Sequence, residues 1–399
     1  MAVTYPPLAE LSARMERFQE ALGEAGMEGA LILQAADLVY FCGTYQNAHL
    51  YVPARGRPLL MVRRSLGRVQ PERVPAEVSP LRKPEELPAV LASRGLPLPR
   101  VLGMELDVLP VNLFARYRKI FPGQIVDCSP LIRKLRAVKS PYEIDLVRES
   151  AALADAVLAQ VPGMIRAGRG ELELSASVEA AARRAGHLGL IRVRGFNQQE
   201  FFYGCILAGP SGGVASYYDS PLGGPGFSPA FPFGVGRHVI APGEPVMVDF
   251  VVVAAGGYQV DVSRVFAVGS LPPDLVYAHR VALEIQEALV KAARPGTACG
   301  ELYALACEVA AGAGLAAHFM GCGEQVRFVG HGVGLELNEL PVLAQGVKDK
   351  LAPGMVVALE PKFVFPGRGA VGIENTFVVR ENGLERLTTY PDEVVICPA

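Results

Sequence analysis

Five ionisable residues interrupt apolar runs in the C-terminal half of this chain. Asp249 stands between Pro245-Val246-Met247-Val248 and Phe250-Val251-Val252-Val253, and Asp261 lies within Tyr258 to Phe266. His331 is held in Gly330-His331-Gly332-Val333-Gly334. Glu360 follows Met355-Val356-Val357-Ala358-Leu359 and precedes Pro361, and Glu374 lies within Ala370 to Val379. Singly, each has an ordinary structural explanation: an acid near a turn, a histidine among glycines, a solvated glutamate at a strand end. Together they point elsewhere, because four apolar strands each carry one acid and a glycine-flanked histidine lies between the pairs. A carboxylate in an apolar strand is costly to bury without a partner. Carboxylates with one imidazole suit hard or borderline divalent ions such as Mn, Co, Zn or Fe. Two ions bridged by carboxylates would clamp and activate a water molecule between them.

The elements that must position these residues can be read from the same segments. The runs carrying Asp249 and Asp261 flank Gly256-Gly257, a hairpin turn signal. A hairpin there would set the two acids side by side, where they repel unless a proton or a cation lies between them. Glycines around His331 permit close backbone approach and leave the imidazole accessible. Upstream, Ser140 can cap a helix, Pro141 occupies its first position and Glu143 completes a capping box. That helix should run to about Gln160, with further helices at Leu172 to Ala185, Asp274 to Ala292 and Cys299 to Ala313.

A domain boundary is expected near Arg136, giving domains over residues 1–137 and 138–399. Before it, a helix at Leu11 to Ala25, short strands at Ala30 to Gln34, Leu59 to Val62 and Val101 to Met104, and a helix at Asn112 to Ile120 suggest a smaller α/β domain. No ionisable cluster there calls for chemistry. Between Gly209 and Gly236, thirteen of 28 residues are Gly or Pro, around Tyr217, Tyr218 and Asp219. Such a segment is either a lid or binding loop or a loose surface insertion.

Composition narrows the classes. The chain has 399 residues, half hydrophobic and a fifth charged, which suits a globular protein with sizeable cores. Lys plus Arg number 38 against 40 Asp plus Glu, a net charge of -2, so no basic field for nucleic acid is expected. The first twenty residues lack the apolar core of a secretory signal, and no run approaches the ~20 apolar residues of a membrane span. The seven cysteines are scattered without a Cys-x-x-Cys pair, so neither a zinc knuckle nor a disulfide framework is expected. Cys299 and Cys307 read as core thiols. The expectation is a reducing, cytoplasmic location.

The order Asp, Asp, Gly-His-Gly-x-Gly, Glu-Pro, Glu resembles the family of methionine aminopeptidase, aminopeptidase P, prolidase and creatinase. Leu135 to Ile144 is similar to the junction between the creatinase-type N-terminal domain and the pita-bread domain, and Gly330 to Pro341 to the segment holding the histidine ligand. Glu360 and Glu374 are 14 apart, as in prolidases. The resemblance implies an α+β protein: a C-terminal pita-bread domain behind a smaller α/β domain. It implies that Asp249 binds one metal ion, that His331 and Glu360 bind another, and that Asp261 and Glu374 bridge them. A bridging hydroxide would attack a carbonyl while Glu360 shuttles the proton. It further implies a homodimer.

The chain departs from this pattern at several points. Asp249 and Asp261 are one residue further apart than is usual, which a longer hairpin loop absorbs without turning either side chain. Phe233 and Asn338 stand where the family has histidines that contact substrate, and Gly372 where it has an arginine. His238, near Phe233 in sequence, reads as a surface residue. The leading expectation is an Xaa-Pro type metallopeptidase, with Phe233, Asn338, Tyr217 and Tyr218 as candidate substrate contacts. The alternative is a creatinase-like C–N hydrolase or lyase acting on a small zwitterion. A binding protein without catalysis is disfavoured, because a purely structural role needs no clustered acids.

Overall fold

The structure is a computed structural model that describes residues 5–196 and 204–398; the first four residues of the N-terminal segment lie outside it. The chain divides into two compact units, Met1–Arg136 with Arg194–Gln198, and Ala137–Val193 with Gln199–Ala399. No described helix is long and apolar enough to cross a membrane.

The first unit carries α1 (Leu8–Glu24), β1 (Gly29–Ile32), α2 (Ala35–Cys42), β2 (Ala48–Pro53), β3 (Leu59–Val62), β4 (Glu77–Pro80), α3 (Leu87–Ser93), β5 (Val101–Met104), α4 (Val111–Ile120), β6 (Gln124–Asp127) and most of α5 (Ser129–Ala137). Among the described residues its strands form one mixed sheet in the order β4-β3-β2-β1-β5-β6. The elements absent from the sequence reading, α2 and β2 among them, are too short to show a clear period. A buried network of Asp–Arg pairs is also present. Asp37 is fully buried and accepts hydrogen bonds from Arg136 Nη1 at 2.6 Å and Arg194 Nη1 at 2.8 Å. Arg194 also donates to both oxygens of Asp107, at 2.7 and 2.9 Å. Its members are scattered along the chain, so no local pattern announces them.

The second unit begins with α6 (Pro141–Leu158). Its capping box is formed: Ser140 Oγ accepts from Glu143 N at 3.2 Å, and Glu143 Oε2 accepts from Ser140 N at 3.0 Å. The other oxygen of Glu143 accepts from Tyr258 Oη at 2.6 Å, and Ser150 Oγ donates to Tyr258 O at 2.6 Å. The helix thereby braces the turn between β8 (Pro245–Val253) and β9 (Gln259–Val268). Then come α7 (Glu171–Ala185) and β7 (Cys205–Ala208) earlier in the chain, and α8 (Pro273–Ala292) and α9 (Cys299–Gly312) after β9. One sheet has the order β17-β9-β8-β7, with β17 at Val395–Cys397. Another has the order β11-β10-β12-β15-β16, formed by β10 (Phe328–Gly332), β11 (Glu339–Ala344), β12 (Val356–Leu359), β15 (Asn375–Arg380) and β16 (Gly383–Arg386). A two-stranded ribbon joins β13 (Lys362–Phe365) to β14 (Gly369–Gly372). The inner faces of α8 and α9 pack with these strands in one apolar core.

The strand pairing refines one expectation and corrects another. In the β8–β9 register Asp249 pairs with Ser263 and Asp261 with Val251, so the acids are diagonal neighbours on one face instead of directly opposite. The run around Glu374 is not one strand. β12 and β13 face β15 and β14 as a long hairpin that breaks at Glu360-Pro361 and Ile373-Glu374, and its two halves belong to different sheets. Pro361 has no N–H for a ladder bond, so the strand cannot continue through it. At the break Glu374 pairs its backbone with Ser263.

Arg264 fastens that break. Its side chain is fully buried; Nη1 donates to Ser263 O at 2.7 Å and Glu374 O at 2.9 Å, and Nη2 to Asn375 Oδ1 at 2.8 Å and Tyr390 O at 2.7 Å. The Gly/Pro-rich segment is packed and not a loose insertion. Leu222 and Phe233 are buried, and the Phe233 ring lies edge-on to Tyr217 and Tyr218 at 6.3 and 5.9 Å. Replacing Arg264 by Met should cost about 3 kcal/mol or more, because several buried carbonyl groups lose a charged donor at once. The measurement is the urea midpoint; an unchanged midpoint would contradict the fastening role.

Candidate metal centre

The five residues singled out in the sequence line a single cavity of about 90 Å³, which leaves room for an ion and a few water molecules. Asp249 and Asp261 come from the shared face of the β8–β9 hairpin. His331 comes from β10, where it pairs with Ala358 on β12 and Val342 on β11. Its flanking glycines are a packing requirement: a Cβ on Gly330 would meet Ala358 O, and one on Gly332 would meet Leu340 O. Glu360 and Glu374 come from the break in the long hairpin, where they leave the strand ladder and turn inward.

The atoms on the His331 side are spaced for an ion. His331 Nε2 lies 3.4 Å from Glu360 Oε1, 3.7 Å from Asp261 Oδ2 and 3.9 Å from Glu374 Oε1. The last two separations exceed hydrogen-bond length, and all three suit atoms that share an ion at about 2.0–2.2 Å. One potential ligand atom from each of Asp261, His331 and Glu374 fits within a 4.8 Å span. Glu374 Oε1 is buried with no hydrogen-bond partner among the described residues. His331 Nδ1 lies 3.2 Å from Gly332 O, so a proton on Nδ1 would leave the Nε2 lone pair facing the acids.

The Asp249 side holds a cation of the chain's own. Lys362, 1% exposed, places Nζ 2.8 Å from Asp249 Oδ2, 2.8 Å from Glu360 Oε2 and 2.7 Å from Glu374 Oε2. Burial disfavours its charge, but Asp249, Glu360, Glu374 and Asp261 outweigh burial and hold the ammonium well above the ordinary lysine range. Burial, followed by the charge of Asp249, pushes the Asp261 carboxyl well up; burial and then Asp261 do the same to Glu374. Asp249 is also raised by burial, against the pull of Lys362. The cluster is therefore short of positive charge. The residues fit a divalent ion on the His331 side. On the Asp249 side, where the resemblance places a second ion, Lys362 Nζ lies among the carboxylates.

Of the expected substrate contacts, Phe233, Asn338 and Tyr218 line the same cavity. Tyr217 does not; the residue is 62% exposed, and its ring lies against those of Tyr218 and Phe233. His238 is also elsewhere, 2.7 Å from Glu244. Lys362 is the member of this cluster that the sequence did not single out. A signal was available: Lys362 interrupts an apolar stretch two residues after Glu360, a spacing that puts both on one face of an extended chain.

The family described as Metallopeptidase family M24 matches residues 145–381, and the Creatinase/Prolidase N-terminal domain matches residues 14–138. A probable dipeptidase PepE of Mycobacterium bovis is 27% identical over 390 residues, covering 95% of this chain and 94% of that one. The Xaa-Pro dipeptidase of Pyrococcus furiosus is 26% identical over 389 residues, covering 96% of this chain and all of its own. Among solved structures, dipeptidase PepE from Mycobacterium ulcerans superposes with a TM-score of 0.82 at 26% identity, over 99% of this chain and 100% of that one. The Xaa-Pro dipeptidase from Bacillus anthracis gives 0.81 at 26% identity, over 97% and 99%. These likenesses carry the expected pita-bread fold with its N-terminal domain. The chain belongs to metallopeptidase family M24.

Proposed function

We propose that this protein is a metal-dependent hydrolase of the Xaa-Pro dipeptidase type. The observation that carries this reading is the convergence of Asp261, His331, Glu360 and Glu374 on an ion-sized gap, with Glu374 Oε1 buried and unpartnered. The names of the relatives support the substrate class.

A bound divalent ion would bring the pKa of a water molecule down to about 7 and polarise the scissile carbonyl. The chain's own groups do the rest. Asp261, His331 and Glu374 would hold the ion. Glu360 takes a proton from the attacking water and passes it to the leaving nitrogen. The Asn338 amide donates to the carbonyl oxygen as charge develops there. Phe233 and Tyr218 supply an apolar wall for a proline ring. A two-ion, hydroxide-bridged version of this chemistry requires Lys362 to withdraw from Asp249. The free cysteines, mostly buried, suit a reducing cytoplasm, and the resemblance to the family implies a homodimer.

A second reading is a C–N hydrolase or lyase acting on a small zwitterion. It is favoured by Phe233 and Asn338 lining the cavity where the resemblance places histidines. A panel of Xaa-Pro dipeptides and small amidines, assayed with added Mn or Co, separates the two.

Glu374→Gln should abolish turnover on the active substrate class, because one neutral oxygen replaces a charged one facing the ion and Lys362 loses a partner. An active Glu374→Gln enzyme with full metal content would refute the assigned role. Asn338→His should raise kcat/KM on Xaa-Pro dipeptides, by less than the roughly 10²-fold that a whole oxyanion donor is worth, because the imidazole replaces a weaker amide donor already there. A wild-type enzyme already fast on those dipeptides, unimproved by the change, would show that the histidine is not needed. Sedimentation at micromolar concentration should give a dimer; a monomer would remove the dimer from the reading.

A further inference from the structure

We infer that the ammonium of Lys362 stands permanently in one of the two cation positions of the acid cluster, so that the protein binds a single divalent ion, on the His331 side. The inference rests on the reading of this cluster as a metal site and alters what the site contains.

The oxygens are already divided between two cations. Glu360 and Glu374 each give Oε2 to Lys362 and turn Oε1 toward His331. Asp249 gives Oδ2 to the lysine. The ammonium has three N–H donors, and these three carboxylates take all of them. On the other side, Glu374 Oε1 has no hydrogen-bond partner among the described residues, and Asp261 Oδ2 and His331 Nε2 lie around the same gap. One position is filled and the other is ready for an ion.

The lysine is built in by its strand partner. Lys362 pairs with Gly372 across the β13–β14 ribbon. A Cβ at position 372 would lie 2.7 Å from Lys362 Cα and 2.9 Å from Lys362 Cγ. Real Cβ atoms do not approach so closely, so the lysine stem follows this path only because residue 372 has no side chain. The two positions act together: a small residue opens the space, and the lysine fills it.

Charge agrees with this division. If all four carboxylates ionise, one ammonium and one divalent ion leave a single negative charge, which an aqua ligand or a substrate amine can answer. Expelling the ammonium to admit a second ion would require moving a side chain that is 1% exposed away from three carboxylates at hydrogen-bond distance. Asp249 thereby becomes a partner of lysine, with no ion to bind.

Metal-stripped full-length protein would be titrated with Mn(II) and with Co(II), and the ions per chain counted by calorimetry and elemental analysis. The wild type should take one ion and His331→Ala none. Lys362→Gly should take two, and its Mn(II) paramagnetic resonance spectrum should change from an isolated ion to a coupled pair. Asp249→Asn supplies a second measurement that leaves Lys362 in place: one ion should still bind, within a few-fold of wild-type affinity. Two ions in the wild type, a single ion in folded Lys362→Gly, or loss of the ion in Asp249→Asn would overturn the inference while leaving a metal-dependent site. No ion in the wild type would overturn both readings. Should Lys362→Gly fail to fold, by circular dichroism, the wild type and Asp249→Asn decide.

Discussion

Four largely buried carboxylates gathered around one small cavity set the terms for the second unit. Two like charges about 4 Å apart repel by about 4 kcal/mol at an effective dielectric constant near 20, and desolvation adds to this for every buried acid. The raised carboxyl pKa values of Asp261 and Glu374 are the local sign of that strain, and Lys362 is its partial remedy. Everything that surrounds the cluster either brings the acids together against their repulsion or supplies positive charge to keep them there.

Bringing them together falls to backbone devices. The β8–β9 hairpin puts two acids on one face, and α6 braces its turn through Glu143 and Ser150. The long hairpin β12–β15 breaks at Pro361, where two glutamates leave the ladder at the same level. A continuous strand would have sent alternate side chains to opposite faces and kept their backbone groups in one sheet. The break instead frees Glu374 to pair with Ser263, and Arg264 secures the arrangement by donating to the Glu374 carbonyl. A buried arginine bonded largely to main-chain oxygens acts as a positioning residue for an acid it never touches through its own carboxylate.

Positive charge then comes from inside and outside the chain. The internal share is the lysine, placed by a glycine across the ribbon. On the other side Glu374 Oε1 is buried without a hydrogen-bond partner among the described residues, which leaves it open to a cation from outside the chain. Around these, Phe233 and Asn338 give the cavity an aromatic wall and a neutral amide where histidines would have offered protons. The cavity therefore combines clustered acids and one imidazole with an aromatic and amide wall.

Much of this was legible in the sequence. The helices over Pro141–Leu158, Pro273–Ala292 and Cys299–Gly312 and the capping box at Ser140 follow from local periodicity and cap chemistry, which act over a few residues. The acids and His331 stood out because burial of a charge in an apolar strand is costly wherever it occurs. What local patterns could not carry were relations between distant segments. The network of Asp37, Arg136 and Arg194 joins residues far apart in sequence. The run at Ala370 to Val379 reads as one strand because its composition is uniform, and only the neighbouring Ser263 and Pro361 divide it between two sheets. Lys362 reads alone as an ordinary strand lysine; its role depends on three acids converging on its Nζ and on the missing side chain at Gly372. The sequence by itself determined which residues carry charge into the core. The tertiary structure decided which charges meet, because electrostatic pairing depends on distance in space and not on separation along the chain.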